Sequence, residues 1–385
     1  MKDIKNNNNF NGFNGYFRNR KVLITGHTGF KGSWLSIWLM RLGAGAAGYA
    51  LDPYTDRDNF VLANLSKKMT DIRGDIRDFK KLNSIIEGYK PEIIFHLAAQ
   101  PLVRLSYDIP RETIETNVMG TANVLESFRM SESANILIVI TSDKCYENKE
   151  NICGYRETDP MGGYDPYSAS KGAAELISSA YMRSFFNPED FNRHGKAMAT
   201  VRAGNVIGGG DWAQDRLIPD CIRALEEGKP VEVRNPDAVR PWQHVLEPLY
   251  GYLLLASVIN EDPSKYSGAW NFGPSADAAD SAITVKELVE KVIKYYGKGV
   301  WKDVSKRGSR ESSAFDAKSE SEPHKHEAKL LNLNINKAVS VLGWKPKLNA
   351  DEAVKLTVDY YKRCKESNEN AYEICSEQIR MFTDK

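Results

Sequence analysis

Tyr167 and Lys171 stand four residues apart in DPYSASKGAAELI. On a helix that spacing puts both side chains on one face. An ammonium beside a phenol favours phenolate and lowers the phenol's pKa from about 10 toward neutrality, which makes it a usable general base. The spacing alone says little, because Tyr361 and Lys365 repeat it near the C-terminus, where it reads as a solvated or packing pair. The first pair keeps different company. The apolar run NILIVI leads into Thr141, Ser142, Asp143 and Lys144, and the carboxyl end of a parallel strand is where an α/β sheet binds ligands. A Ser142 hydroxyl placed there can hydrogen-bond a substrate oxygen. Asp143 and Lys144 add an acid and an amine that hydride transfer by Tyr, Lys and Ser does not need.

A second constellation lies near the N-terminus. Gly26-His27-Thr28-Gly29-Phe30-Lys31-Gly32 is a GxxGxxG run between an apolar pentapeptide and a helical pattern. Glycines there allow a tight turn, approach of backbone to a pyrophosphate and close helix–strand packing, with the helix N-terminus facing the anion. Asp52 follows Gly32 by 20 residues at the end of the next strand candidate. A carboxylate at that point accepts from ribose hydroxyls and would repel a 2′-phosphate, which favours NAD over NADP. Gly74, Asp75 and Ile76 close a further short segment that can border the adenine.

Positioning these groups requires a particular scaffold. KVLIT, AGAAGYALD, EIIFHLAA, NILIVITS and AMATVRAGNVIG read as strands, with helical patterns between most of them. Such alternation predicts parallel strands joined by crossover helices, a Rossmann-type doubly wound α/β sheet. The expected NAD-binding domain covers 20–210, with 244–274 returning to it. After Gly208 the alternation breaks into Gly-, Pro- and Trp-bearing loops, and 211–243 with 275–362 is expected to form a smaller, partly C-terminal substrate-binding domain. Residues 1–19, rich in Asn, read as a disordered tail, although Phe10, Phe13, Tyr16 and Phe17 give it a means of docking. The Ser- and charge-rich 302–322 reads as a mobile loop, a helix is expected over 350–365, and 363–385 as a C-terminal extension.

Composition narrows the function classes. Across 385 residues, 52 Lys and Arg against 51 Asp and Glu leave a net charge of +1, without the basic surplus of a nucleic-acid or anionic-membrane binder. Cys145, Cys153, Cys221, Cys364 and Cys375 are odd in number and show no CxxC spacing, which suits reduced thiols in a cytoplasm. The longest apolar stretch, near Leu253 to Ile259, falls far short of the ~20 residues that span a bilayer. His324, His326 and Glu327 in PHKHEA superficially offer metal ligands, but no other His cluster is visible and no metal is expected.

Longer strings then match a known family. TGxxGxxG, HLAAQ (96–100), YSASK and RAGNV resemble the extended short-chain dehydrogenase/reductase superfamily in its nucleotide-sugar branch. GHTGFKGSWL, TSDKCYEN, GNVIGGGDW, RPWQHVLEPL and LGWKP narrow the resemblance to the CDP-glucose 4,6-dehydratase family over about residues 20–362. The resemblance implies tightly held NAD, with Leu97, Ala98 and Ala99 joining the glycine loop, Tyr167 and Lys171 around it. It implies a nucleotide-sugar substrate gripped from Gln100, Arg104, Asn205, Trp212, Arg216, Arg234 and Arg240, with Trp242 as a further wall. A matching HEA string would bring His326 or Glu327 to the nucleotide.

By the same resemblance, Tyr167, Lys171 and Ser142 oxidise C4, and Asp143 protonates the departing C6 hydroxyl. Related dTDP-glucose enzymes use an Asp–Glu pair for this step. Here the second member is Lys144, which must be neutral to take the C5 proton, and otherwise only stabilises the enolate while another group removes it. A homodimer, through the Tyr167 helix and the Arg111–Phe128 helix, or a higher homo-oligomer, and deoxysugar supply for surface polysaccharide are further implications. Two alternatives stay open. A C4 epimerase on this scaffold needs no acid–amine pair, and a non-catalytic NAD-binding member would not need Ser142, Tyr167 and Lys171 intact.

Overall fold

The computed structural model describes residues 12–274, 282–305, 331–366 and 369–385. Strands β1 (Lys21–Thr25), β2 (Gly45–Ala50), β3 (Thr70–Arg73), β4 (Ile93–His96), β5 (Ile136–Ile140) and β6 (Ala197–Arg202) alternate with helices, as the apolar runs predict. With Gly268–Asn271 they form one seven-stranded sheet, all of whose pairings are parallel. Its order from one edge is Gly268–Asn271, β6, β5, β4, β1, β2, β3. The order reverses between β1 and β4, and at such a switch point the crevice beyond the strand ends binds ligands.

Both sheet faces are covered, which explains why the strands read as continuous apolar runs rather than alternating ones. Val22, Ile24, Ile93, Phe95, Ile136 and Ile138 point into one core with the helix Phe30–Arg41 and the helix Leu246–Val258. Leu23, Ile94, Leu137 and Val139 point into the other, with Leu125 and Phe128 of the helix Gly120–Met130. This is the period of two along a strand, expressed on two buried faces. The doubly wound sheet is therefore the fold.

Three expectations change. The Asn-rich tail is not loose throughout, because Phe17 is fully buried and Phe13 packs edge-on to it at 5.7 Å. Arg20 completes that anchor, donating from Nε to the Tyr16 carbonyl and pairing with Glu92 at 2.6 Å. The C-terminal extension is part of the core as well. The helix Ala371–Thr383 lays Phe382 against Trp38 and Tyr250. The expected single helix Arg111–Phe128 is instead Pro110–Ile114, a widened turn over Glu115–Met119, and then Gly120–Met130.

Beyond the sheet, Leu217–Glu226 and Val285–Tyr296 form helices beside three small strand pairs. Val206–Ile207 pairs with Gln243–His244, Val231–Val233 with Trp301–Asp303, and Val239–Pro241 with Ala282–Thr284. The strand Trp301–Asp303 thus takes the first two residues, Lys302 and Asp303, of the loop expected over 302–322, of which 306–322 lies outside the described residues. The helix expected over 350–365 runs Ala350–Glu366. No helix among the described residues is long and apolar enough to cross a membrane.

Candidate active site

A cavity of about 1010 Å³ opens at the carboxyl ends of the central strands. The glycine loop forms one end. Gly26 has φ +76°, and a Cβ there would lie 2.7 Å from the Ala98 nitrogen. A Cβ on Gly32 would lie 2.1 Å from the Gly26 carbonyl, so the helix Phe30–Arg41 can start against β1 only with glycine at that position. The helix N-terminus, with its unpaired N–H groups, is thereby aimed at the cavity. This cradle of bare backbone fits a dinucleotide pyrophosphate. Asp52 is exposed at the rim, 3.7 Å from Arg73 Nε. Asp75 is held by Arg77 at 2.6 Å, which keeps its carboxyl below the usual range, and its carbonyl accepts from Tyr49. Thr28, Phe30, Lys31, Ile76, Leu97, Ala98 and Ala99 line the same cavity.

The central wall carries the residues expected to move protons. Ser142, two residues beyond β5, is extended, and its Oγ donates to Asp143 Oδ1 at 2.9 Å while accepting from the Lys144 backbone at 3.2 Å. Asp143 lies flat on Gly204, where a Cβ would fall 1.9 Å from Oδ2. That close approach is the physical reason for glycine in RAGNV. Lys144 lines the cavity beside it. Opposite, Asp165 caps the helix Pro166–Phe185 by accepting from the Ser168 backbone, with Pro166 at the first position. The helix presents Tyr167 and Lys171, both nearly buried, to the same cavity as Ser142.

The electrostatics correct one expectation. Burial pushes the Tyr167 phenol up to about 12, with the Ser142 hydrogen bond and Arg216 acting against it and Asp143 with it. Lys171 does not offset that burial. Its own ammonium is pushed down to about 8 by desolvation, against the pull of Cys145 and Glu175. Lys31, across the cavity, is likewise pushed down to about 8 by burial, then by Arg216. The helix pair alone therefore does not make Tyr167 a base at neutral pH.

The predicted substrate residues divide by what they already hold. Arg216 Nη1 meets Asp211 at 2.7 Å. Asp211 is fixed from behind by Tyr361, whose hydroxyl donates to its carbonyl at 2.6 Å, so the second Tyr–Lys spacing is a packing feature. Arg104 reaches across to Asp215 at 3.5 Å. Asn205 takes a left-handed φ of +50°, and its carbonyl accepts from Gln243. Arg234 and Arg240 line the far end. Gln100 is different, since its carboxamide bonds Leu102 on both sides and Thr113, and so shapes its own loop. Trp212 is also committed, with Arg57 stacked 3.5 Å over its ring and Tyr361 against its edge. Trp242 lines the cavity with its indole N–H unpartnered among the described residues. His324, His326 and Glu327 lie outside the described residues, among which no cluster of metal-ligating side chains occurs.

Several residues that support the site escaped the sequence reading. Asn117, in the widened turn, braces Gln100 with 2.8 and 3.0 Å hydrogen bonds and donates to Ser170 on the Tyr167 helix. Glu175 forms a buried pair with Arg202 at 2.8 Å. The only available signal for Glu175 was its spacing, one turn beyond Lys171 on the same face. Asn117 gave none.

The family model described as GDP-mannose 4,6 dehydratase matches residues 23–357. A CDP-glucose 4,6-dehydratase of Salmonella typhimurium is 49% identical over 347 residues, spanning 90% of this chain and 92% of the relative. A dTDP-glucose 4,6-dehydratase of the same organism is 25% identical over 373 residues, spanning 89% and 92%. Among solved structures, dTDP-glucose 4,6-dehydratase from Bacillus anthracis in complex with NAD superposes with a TM-score of 0.69 at 21% identity, covering 90% of this chain and 98% of that one. The UDP-glucose 4-epimerase of Thermotoga maritima with UDP-glucose gives 0.70 at 22% identity, covering 90% and 100%. At these identities the superpositions speak for the fold.

Proposed function

We infer that this chain, which belongs to the GDP-mannose 4,6 dehydratase family, converts CDP-glucose to CDP-4-keto-6-deoxyglucose and water. The observation that carries the reading is the Ser142-Asp143-Lys144 turn, in which an acid and an amine line one cavity with Tyr167 and Lys171. The 49% identity to a CDP-glucose 4,6-dehydratase supports the choice of donor. The bare glycine cradle, Asp52 at the rim and Lys171 would hold NAD, which when bound would supply an acceptor for the C4 hydride and its donor at C6.

The residues divide the remaining work. Tyr167 removes the C4 hydroxyl proton, with Ser142 holding the same oxygen. A phenol at about 12 needs added positive charge to do so, and Lys171 together with a cationic ring is the source. Oxidation turns C4 into a ketone, which acidifies the C5 proton. Lys144 takes that proton, and Asp143 gives one to the C6 hydroxyl as the carbon–oxygen bond breaks, so one water leaves. C6 then gains hydride, C5 regains a proton, and the sugar is net dehydrated without net oxidation. Arg216, Arg234 and Arg240 supply guanidinium groups suited to a diphosphate. Burial of the reacting groups excludes water between the two hydride steps. Pairing of two copies belongs to the same reading, because Ile114, Met119 and Leu176 leave apolar side chains exposed on the two helices concerned.

The test is incubation with CDP-glucose, dTDP-glucose, UDP-glucose and GDP-mannose in separate reactions, followed by mass spectrometry. Loss of one water from CDP-glucose is expected. An unchanged mass with a new hexose epimer would replace the reading by epimerisation, and no change with any donor would remove it.

A further inference from the structure

A chain of buried polar contacts runs behind the catalytic turn. Glu175 accepts from the Thr141 hydroxyl, from the Thr200 hydroxyl at 2.8 Å and from Arg202 at 2.8 Å. Arg202 Nη1 in turn donates to the Tyr146 hydroxyl at 2.5 Å and to the Glu157 carbonyl at 3.1 Å. The Tyr146 hydroxyl itself donates to Asn271 Oδ1 at 2.8 Å. Asn271 Nδ2 closes the chain on the carbonyls of Tyr155 and Asn334, at 2.8 and 3.2 Å.

The placement of these contacts is the informative part. Thr141 directly precedes Ser142, and Tyr146 follows Lys144 by two residues. Ser142, Asp143 and Lys144 are thus bracketed by two side chains tied to one buried ion pair. Glu175 shares its helix with Tyr167 and Lys171, so the same pair also sets the distance between the turn and the base. Both partners of the pair are 4% exposed. A buried ion pair typically adds little net stability over apolar side chains of the same volume. A contribution to geometry explains its presence better than a contribution to stability. The turn is short: besides the Ser142 contacts, the Tyr146 N–H donates to the Asp143 carbonyl at 3.5 Å and the Gly162 N–H to the Cys145 carbonyl at 2.8 Å, and the Tyr146 side chain ties the exit of the turn to the buried pair.

We propose that Tyr146, held between Arg202 and Asn271, is a positioning residue that fixes the Asp143–Lys144 turn for the water-loss half of the reaction. The step-resolved part of this proposal rests on the dehydratase reading given above. Its structural part does not, and the two are tested separately.

The test uses Tyr146→Phe, which removes the hydroxyl and leaves Arg202 Nη1 and Asn271 Oδ1 without it. Cys145 adjoins Tyr146 and is fully buried, as are the remote Cys221 and Cys375. Alkylation followed by peptide mass spectrometry reads each thiol separately. The expected result is labelling of Cys145 about tenfold faster or more, as local opening of a hydrogen-bonded turn would give, with Cys221 and Cys375 unchanged. Unchanged Cys145 labelling, or equal acceleration of all three thiols, overturns the proposal. Should Tyr146→Phe fail to fold, Asn271→Ser withdraws the acceptor from the opposite side and must give the same selective labelling.

The second readout is kinetic. With CDP-glucose, C4 oxidation followed by near-ultraviolet absorbance on rapid mixing should stay within about twofold of the parent, while water loss slows about tenfold or more. Equal slowing of both steps would mean a general structural defect and would overturn the step assignment. Parent protein that turns over no sugar nucleotide would remove the dehydratase reading, while the thiol labelling still decides the structural part.

Discussion

Lys171→Met should make the dinucleotide-free protein more stable while disabling it. The Lys171 side chain is 6% exposed, and burial pushes its ammonium from 10.5 down to about 8. A lysine depressed in the folded state binds fewer protons there than in the unfolded chain, so it opposes folding in full below about pH 8 and decreasingly up to about pH 10.5. At about 1.4 kcal/mol per pH unit, the cost is about 3 kcal/mol at pH 7 and falls to about 2 kcal/mol at pH 9. Methionine keeps the length and apolar stem without the charge, so most of that cost should return as stability. Urea unfolding of parent and variant at pH 7 and pH 9 measures it. The variant should lead by about 2–3 kcal/mol at pH 7, with the lead shrinking by about 1 kcal/mol at pH 9 as the parent loses its proton. Turnover should fall by about 10²-fold or more, because the phenol at the site loses its adjacent cation. A variant less stable than the parent at pH 7, or a lead independent of pH, would refute the view of Lys171 as a charge held at the expense of stability.

Other perturbations test separate parts of the account. Asp143→Asn keeps the shape that lies on Gly204 but cannot deliver a proton, so water loss should slow by about 10²-fold or more, measured by mass spectrometry of the product. Phe17→Ala removes a fully buried ring from the N-terminal arm, and should cost about 3–5 kcal/mol in urea unfolding; a dispensable tail would show no change.

The sheet and the placement of the Ser142–Lys144 turn at its edge were legible because their causes are local. Parallel strands buried on both faces must be apolar throughout, and β1, β4 and β5 are. The glycine loop was legible because a Cβ at Gly26 or Gly32 collides with backbone. Ser142, Asp143, Lys144, Tyr167 and Lys171 fall together at one cavity because a strand end and a helix N-terminus must meet there. What stayed hidden depends on contacts between distant segments. Phe17 looked like part of a polar tract because only the body it docks on makes it core. Tyr361 repeats the catalytic spacing, but its hydroxyl is used 150 residues away on the Asp211 carbonyl. The Tyr167 phenol was expected to be acidified by Lys171, and burial of both groups outweighs that pairing. Spacing identifies neighbours but does not report how much water surrounds them.

The central claim is that one hydrogen leaves C4 and returns at C6 of the same sugar. CDP-glucose carrying deuterium at C4 tests it directly, with the product analysed by mass spectrometry and NMR. The account predicts a product one water lighter that retains the deuterium, now at C6. Deuterium remaining at C4 in an epimerised hexose, or loss of the label to solvent, would contradict it.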